Sequence, residues 1–301
     1  MKILPAALAI GMLGLAACST QTNDTSSSAS GDPVKSEKPA TTAADGLKAV
    51  VINGALPYST KNGDAWSGLA VDVLKAIQKE QSSDSASTEL SFQEVSSVSE
   101  AQEALASGTA NIVCGIGFSW ERSKKINYTL PFAVGGMRLL TTADVDGTPE
   151  SMKGKEIGVI TGTIPAKLVA SQLPETVVQD FASPDEALAA LKDGQIDTIA
   201  GGALWSKANM ATIPGSRMVP DRPYGRSGIG CAVTHGNDGL LASGNLAIGQ
   251  LLQGYVDGDE ESTRIINASI GPDSPVGLEA ETIATYYNSV LGTVTGVGKD
   301  E

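Results

Sequence analysis

Short apolar runs alternate with amphipathic stretches along most of the chain. Ala49–Asn53 (AVVIN) lies between Gly46 and Gly54 and predicts a buried strand. After the loop Gly54–Tyr58, apolar residues at 69, 73, 74 and 77 recur with a helical period behind Ser67, a candidate N-cap. Glu89–Val95 predicts a second strand, Ser97–Ser107 a helix and Asn111–Gly115 a third strand. The order β-α-β-α-β is that of a parallel sheet with helices on its faces, an α/β fold. The pattern then returns. Ile157–Thr161 predicts a strand, Pro165–Gln172 a helix, Thr176–Asp180 a strand and Pro184–Lys192 a helix.

The return is a duplication. SVSEAQEALASGTANIVCG at 97–115 aligns without a gap to SPDEALAALKDGQIDTIAG at 183–201, with Ser, Glu, two Ala, Leu and both Gly in register. Each copy predicts a capped helix, a Gly turn and a strand. Two apolar, Gly-rich segments, Pro131–Asp144 and Arg222–Thr234, have the character of strands passing between the two units. After Val233, Leu241–Tyr255 and Glu260–Ile270 read as helices. Two crossings build one lobe from both ends of the chain: 46–135 plus 228–276 form lobe 1, and 136–227 form an inserted lobe 2. Residues 277–301 are a C-terminal extension in which Leu278–Leu291 predicts a further helix. A small ligand is expected between the lobes, where the strand C-termini of both sheets meet.

Composition narrows the partners. A formal charge of −13 argues against nucleic acid and anionic membrane surfaces, while leaving room for a local positive pocket. Aromatic residues make up only 4% of the chain, so the cores must be built from Val, Ile, Leu and Ala. Lys2 and the apolar run Ile3–Leu15 form a segment too short to cross a membrane and suited to a secretory signal. It ends in Leu15-Ala16-Ala17-Cys18, which resembles a bacterial lipobox and implies lipid attachment at Cys18 after removal of the signal. Residues 19–45 are rich in Ser, Thr, Ala and Asp and read as a flexible tether. The work is then done outside the cytoplasm, in the periplasm or at the cell surface, where disulfides are permitted. The single His, His235, excludes the usual His-centred triads and makes a zinc site improbable.

The candidate chemistry lies in NIVCGIGFSWER at 111–122. A strand ending in Gly115 and Gly117 leaves backbone groups free, and Arg122 adds a fixed positive charge with a planar fork of donors. Together these form a receptor for a carboxylate.

The order and spacing of several motifs resemble an extracellular solute-binding protein of the polar-amino-acid type, family 3. They are Leu56-Pro57-Tyr58-Ser59, Gly68-Leu-Ala-Val-Asp72, Glu121-Arg122-Ser-Lys-Lys-Ile-Asn-Tyr-Thr-Leu-Pro131-Phe132, Gly158-Val-Ile-Thr-Gly162-Thr163, Gly194-Gln-Ile-Asp197 and Gly228-Ile229-Gly230, and the likeness covers about 46–270. The pattern WER…YTLPF…GG.RLL is also similar to orphan solute-binding-like proteins that accompany a peptide-maturation system and have no transporter of their own. The resemblance implies a type II periplasmic-binding fold that closes as a monomer on a small carboxylate-bearing solute, without a cofactor, and is read by an ABC permease or a membrane sensor.

Carried to this sequence, the resemblance implies that Arg122 grips the ligand carboxylate and that Gly115 and Gly117 supply backbone hydrogen bonds. It implies that Tyr58 packs on the ligand and that Thr161, Gly162 and Thr163 offer donors at a helix N-terminus. One position departs from it. Where such proteins carry an Asp for the ligand's α-ammonium, this chain has Gly202, so either the ligand has no α-ammonium, another acid supplies the pair, or the site has drifted. Trp66, Trp120 and Trp205 are either ordinary core or rim residues or surfaces on which the ligand stacks. The fold also implies that Cys114 and Cys231 lie on neighbouring antiparallel strands, close enough to bond. An enzyme on this scaffold is the competing reading. It needs a cleft carboxylic acid of raised pKa, for which Glu121 is the only candidate.

Overall fold

The computed structural model describes residues 46–83 and 88–295, so the signal, the tether and the last residues of the extension lie outside it. In chain order, β1 (Leu47–Ile52) is followed by a small hairpin of β2 (Thr60–Asn62) and β3 (Ala65–Ser67), and then by α1 (Leu69–Ser83). Next come β4 (Leu90–Val95), α2 (Val98–Ser107) and β5 (Ile112–Gly117). A 3₁₀ turn at Arg122–Lys124 leads into β6 (Ile126–Tyr128) and the first crossing strand, β7 (Ala133–Thr141). The second lobe contains α3 (Pro149–Met152), β8 (Glu156–Ile160), α4 (Ile164–Gln172), β9 (Val177–Phe181), α5 (Pro184–Lys192), β10 (Thr198–Gly202) and α6 (Ala203–Met210). The long strand β11 (Arg217–Thr234) returns to the first lobe, which is completed by α7 (Asp238–Asp257), α8 (Glu260–Ser269) and α9 (Ala280–Thr295).

One sheet runs through both lobes in the order β4-β1-β5-β11-β7-β10-β8-β9, with β6 on β11. Within each lobe the strands flanking the first one are parallel to it: β4 and β5 beside β1, and β10 and β9 beside β8. The crossing strands β7 and β11 run antiparallel to each other and to their neighbours. β11 begins five residues earlier than the apolar pattern predicts. Pro220 lacks the N–H that a ladder needs, and pairing with β7 is interrupted between Val219 and Tyr224, which hides the strand from a sequence reading.

The duplicated segments fold alike. Ser97 Oγ accepts from the Glu100 N–H, and Glu100 Oε2 accepts from the Ser96 N–H. Ser183 and Glu186 repeat the arrangement, with Ala182 as the last donor. These are two copies of one capping box, which satisfies donors that a helix start otherwise leaves open. Gly108 and Gly194 end the two helices at φ of 75° and 68°, a conformation costly for any residue with a Cβ.

Helix α1 starts differently from the expectation. Ser67 belongs to β3 and accepts from Asn62 Nδ2, while the N–H groups of Leu69 and Ala70 donate to the carbonyls of Pro57 and Tyr58. A Cβ on Gly68 would lie 2.5 Å from the Tyr58 carbonyl oxygen. The helix start therefore fixes the loop that carries Tyr58.

Each lobe packs apolar side chains on both faces of its sheet. Leu47, Leu74, Ile77, Phe132 and Leu252 are buried on one face of the first lobe, with Val50, Leu105 and Val113 on the other. Met137, Met152 and Ile157 fill one side of the second lobe, and Leu140, Leu191 and Ile199 the other. Full burial of each such side chain contributes about 1.5–3 kcal/mol. Ile283, Tyr287 and Val290 of α9 enter the first of these cores, so the extension is packed against the first lobe.

Candidate ligand-binding site

β5 and β10 end at the junction of the lobes, and a cavity of about 330 Å³ lies there. That is the lower end of the range for small-molecule sites. β5 is bulged at this point. Cys231 pairs with Cys114 and Gly230 with Ile116, so Gly115 faces no residue of β11. Gly115 has φ of 85°, and a Cβ there would sit 2.8 Å from Cβ of Tyr58. A bulge with a left-handed glycine frees a backbone step at the cavity wall and lets the Tyr58 ring lie against it. The disulfide joining Cys114 to Cys231 spans the same two strands immediately beside the bulge. Gly117 lies under Ile164 from the opposite lobe, which a Cβ would meet at 2.7 Å.

Arg122 lines the cavity from the 3₁₀ turn after β5, and its Nη2 donates across to the Gly162 carbonyl at 2.6 Å. No carboxylate pairs with it among the described residues. A half-buried guanidinium bonded to one carbonyl and to the Tyr128 hydroxyl still has donors of its fork left for an anion. Burial pushes the Tyr58 phenol up, with Tyr286 adding to the effect, so this hydroxyl is a neutral donor at any physiological pH.

The second lobe contributes less polarity than the sequence implies. Thr161 is exposed outside the wall, and its hydroxyl faces Asp180. Gly162 meets Arg122 through its carbonyl and is not among the residues lining the cavity. Thr163 does line the cavity, but its hydroxyl donates to the Ile160 carbonyl and accepts from the Ala166 N–H as the cap of α4. Pro165, next in the helix, has no N–H. The Thr163 hydroxyl and the Ala166 N–H are thus used locally, and the wall here includes Ile160, Ile164 and Leu168.

Gly202 caps α6 without a side chain and lines the cavity, with no heavy atom within 4 Å of where its Cβ would stand. Sequence reasoning missed Arg226 and Ser227, which line the cavity from β11. The available signal was a basic residue inside a crossing strand.

Further bonds tie the lobes together around the cavity. Trp205 Nε1 donates to the Gly54 carbonyl at 3.0 Å, and Asn53 Nδ2 reaches Asp185 Oδ2 at 3.5 Å. Lys167 on α4 forms an ion pair with Glu121. Trp205 is buried in the second lobe and also touches the cavity. Trp66 lies under the Lys61 ammonium, and Trp120 is 80% exposed with its ring edge-on to Phe118; neither lines the cavity. Glu121 is exposed, and hydrogen bonding and charge from Lys167 hold its carboxyl below the ordinary value. That is opposite to the shift a cleft general acid requires.

Comparison with known proteins identifies the family and the fold. Residues 47–271 match the family model for bacterial extracellular solute-binding proteins, family 3. The chain is 30% identical over 141 residues to an ABC transporter arginine-binding protein 1 of Escherichia coli K12, a match covering 46% of this chain and 58% of that relative. It is 26% identical to a putative ABC transporter arginine-binding protein 2 of the same organism, covering 60% and 74%. The chain thus spans little more than half the length of the first relative. An ancestral arginine-binding protein bound to glutamine superposes with a TM-score of 0.65 at 23% identity, covering 75% of this chain and 97% of that one, which is a likeness of fold. No helix among the described residues is long and apolar enough to cross a membrane. With the family model matched from the first strand to the end of α8, the chain belongs to the bacterial extracellular solute-binding proteins, family 3.

Proposed function

We propose that this chain is a lipid-anchored extracytoplasmic binding protein that closes on a small carboxylate-bearing solute. Cys18 carries the lipid, residues 19–45 are the tether, and the two lobes work as a monomer. Arg122 binds the carboxylate, Gly115 and Gly117 present backbone groups, and Tyr58 packs on the body of the solute. Thr163, with the loop Thr161-Gly162 behind it, closes the second lobe over it, and Gly202 leaves space at the far wall. The observation that carries this reading is Arg122: a partly buried cation in a wall between two lobes, bonded to the Gly162 carbonyl and the Tyr128 hydroxyl and paired with no carboxylate among the described residues. Binding one solute by both lobes stabilises the closed form relative to the open one. An ABC permease or a membrane sensor then reads the closed form.

Arg122→Ala is the direct test. A charge-assisted hydrogen bond contributes about 1.5–3 kcal/mol, so carboxylate affinity should fall about 10- to 150-fold in calorimetry. Unchanged affinity sinks the assignment. Cys18→Ser tests the anchor, because the protein should leave the membrane fraction. The orphan reading is favoured by the absent acid at Gly202. It predicts that deleting neighbouring permeases leaves the protein's cellular role intact. Catalysis has no support from Glu121, which is exposed and acid-shifted by Lys167.

A further inference from the structure

From the charge inventory of the cleft we infer that its ligand is an apolar carboxylic acid carrying no amino group. The inference rests on the assignment of Arg122 as the carboxylate anchor. The residues lining the cavity include two cations, Arg122 and Arg226, and no Asp or Glu. Arg226 has no ion pair among the described residues. The acids nearest in sequence to the wall lie outside it: Glu121 pairs with Lys167, Asp185 accepts from Asn53 Nδ2 at 3.5 Å, and Asp180 accepts from the Thr161 hydroxyl at 3.4 Å. Glu103 belongs to the adjoining hollow behind Val98, where Lys125 and the far side of Arg122 share its wall.

An ammonium group brought into this cavity would lose its water, meet no carboxylate of the wall and share the space with the half-buried Arg122, with the exposed Arg226 at the rim. Burying an unpaired charge is strongly unfavourable, and like charges add to the cost. The rest of the wall accepts an apolar body. Ile116, Ile160, Ile164, Leu168 and Ile229 surround the space, and the second lobe's hydroxyl, Thr163, is spent on its helix. The ligand class is therefore an aliphatic or aromatic acid bearing a 2-oxo group or hydrogen where an amino acid bears nitrogen.

Gly202 makes the inference reversible. Its backbone, at φ −65° and ψ 142°, suits any residue, and its Cβ position is open. It is also the uncapped start of α6, where Asp and Asn are favourable residues, so both substitutions should fold. Gly202→Asp places a carboxylate on the cavity wall, and Gly202→Asn is its neutral control.

The experiment titrates the full chain, stripped of co-purified ligand with its disulfide intact, against matched pairs. The pairs are 4-methyl-2-oxopentanoate and leucine, phenylpyruvate and phenylalanine, and 3-phenylpropanoate as a further amine-free acid. The amine-free member should bind about tenfold or more tightly than its amino acid. Gly202→Asp should narrow or invert that ratio, and Gly202→Asn should not. Equal or tighter binding of the amino acids by the unmodified chain overturns the inference, as does absence of binding across all the amine-free acids. If amino acids bind and Arg122→Ala abolishes it, the inference alone fails. If any binding is indifferent to Arg122→Ala, the anchor assignment fails with it.

Discussion

Trp205→Phe probes closure without touching the ligand anchor. Trp205 sits on α6 of the second lobe, and its Nε1 donates to the Gly54 carbonyl in the loop after β1 of the first. The two residues are 151 positions apart in the chain, and their bond exists only when the lobes meet. In the open form both groups are free to bind water, so the net value of the bond is about 0.5–1.5 kcal/mol. Losing it should shift the closing equilibrium about 2- to 13-fold toward open, because 1.4 kcal/mol is a factor of ten. Ligand affinity should fall by no more than that factor, since only the closed form makes the full set of contacts. Shrinking the ring also loosens packing against Leu188 and Ile199, but that cost falls within the second lobe, in open and closed forms alike. The two effects separate experimentally. Thermal unfolding reports the packing loss, while calorimetry with an amine-free acid and small-angle scattering of the ligand-free protein report the closing equilibrium. A Trp205→Phe protein with lower thermal stability but unchanged affinity and scattering would refute the latch.

Other residues give independent tests. The bond between Cys114 and Cys231 closes a loop with a sequence separation of 117 that contains the second lobe. Chain-entropy reasoning puts the stabilisation at about 4.9 kcal/mol, so Cys231→Ala should lower the guanidinium midpoint markedly and make the protein indifferent to reductant. Tyr287 is fully buried, and its hydroxyl has no hydrogen-bond partner. Tyr287→Phe should therefore raise stability by about 1 kcal/mol, and a loss would show that the hydroxyl is satisfied. The Glu121–Lys167 pair makes closure sensitive to acid. Its carboxyl is lowered from the ordinary value of 4.5, so the contribution is present above that value and is lost as pH falls through the lowered one. Affinity measured down this range should weaken in the native protein and stay flatter in Lys167→Gln, with added salt reducing the difference.

Much of the fold could be read from the chain because its local signals agree. The Ser-x-x-Glu caps at Ser97 and Ser183, the turn glycines Gly108 and Gly194 and the apolar strands after them specify the same unit twice. The hairpin of β2 and β3 went unread although Asn62-Gly63 is a hairpin signal, because each strand has only three residues and little apolar content. Helix α6 was missed because it starts at an uncapped glycine.

The site divides along the same line. Arg122 and the bulged Gly115, which line the cavity, stand out in the sequence by residue type and spacing. The apolar wall could not, since Ile164 and Leu168 gain their role only when α4 folds over Gly117. The positions of Thr161 and Gly162 off the cavity wall were hidden for a related reason. Which partner meets a hydroxyl is set by the folded neighbourhood, as Asp180 beside Thr161 and the Ala166 N–H on Thr163 illustrate.

A crystal structure of the protein with a bound amine-free acid would show whether the cleft holds a carboxylate on Arg122. Both carboxylate oxygens should lie about 2.7–2.9 Å from the Arg122 guanidinium, with the apolar body between Tyr58 and Leu168. A ligand seated in the same cavity with its carboxylate turned away from Arg122 would contradict the assignment.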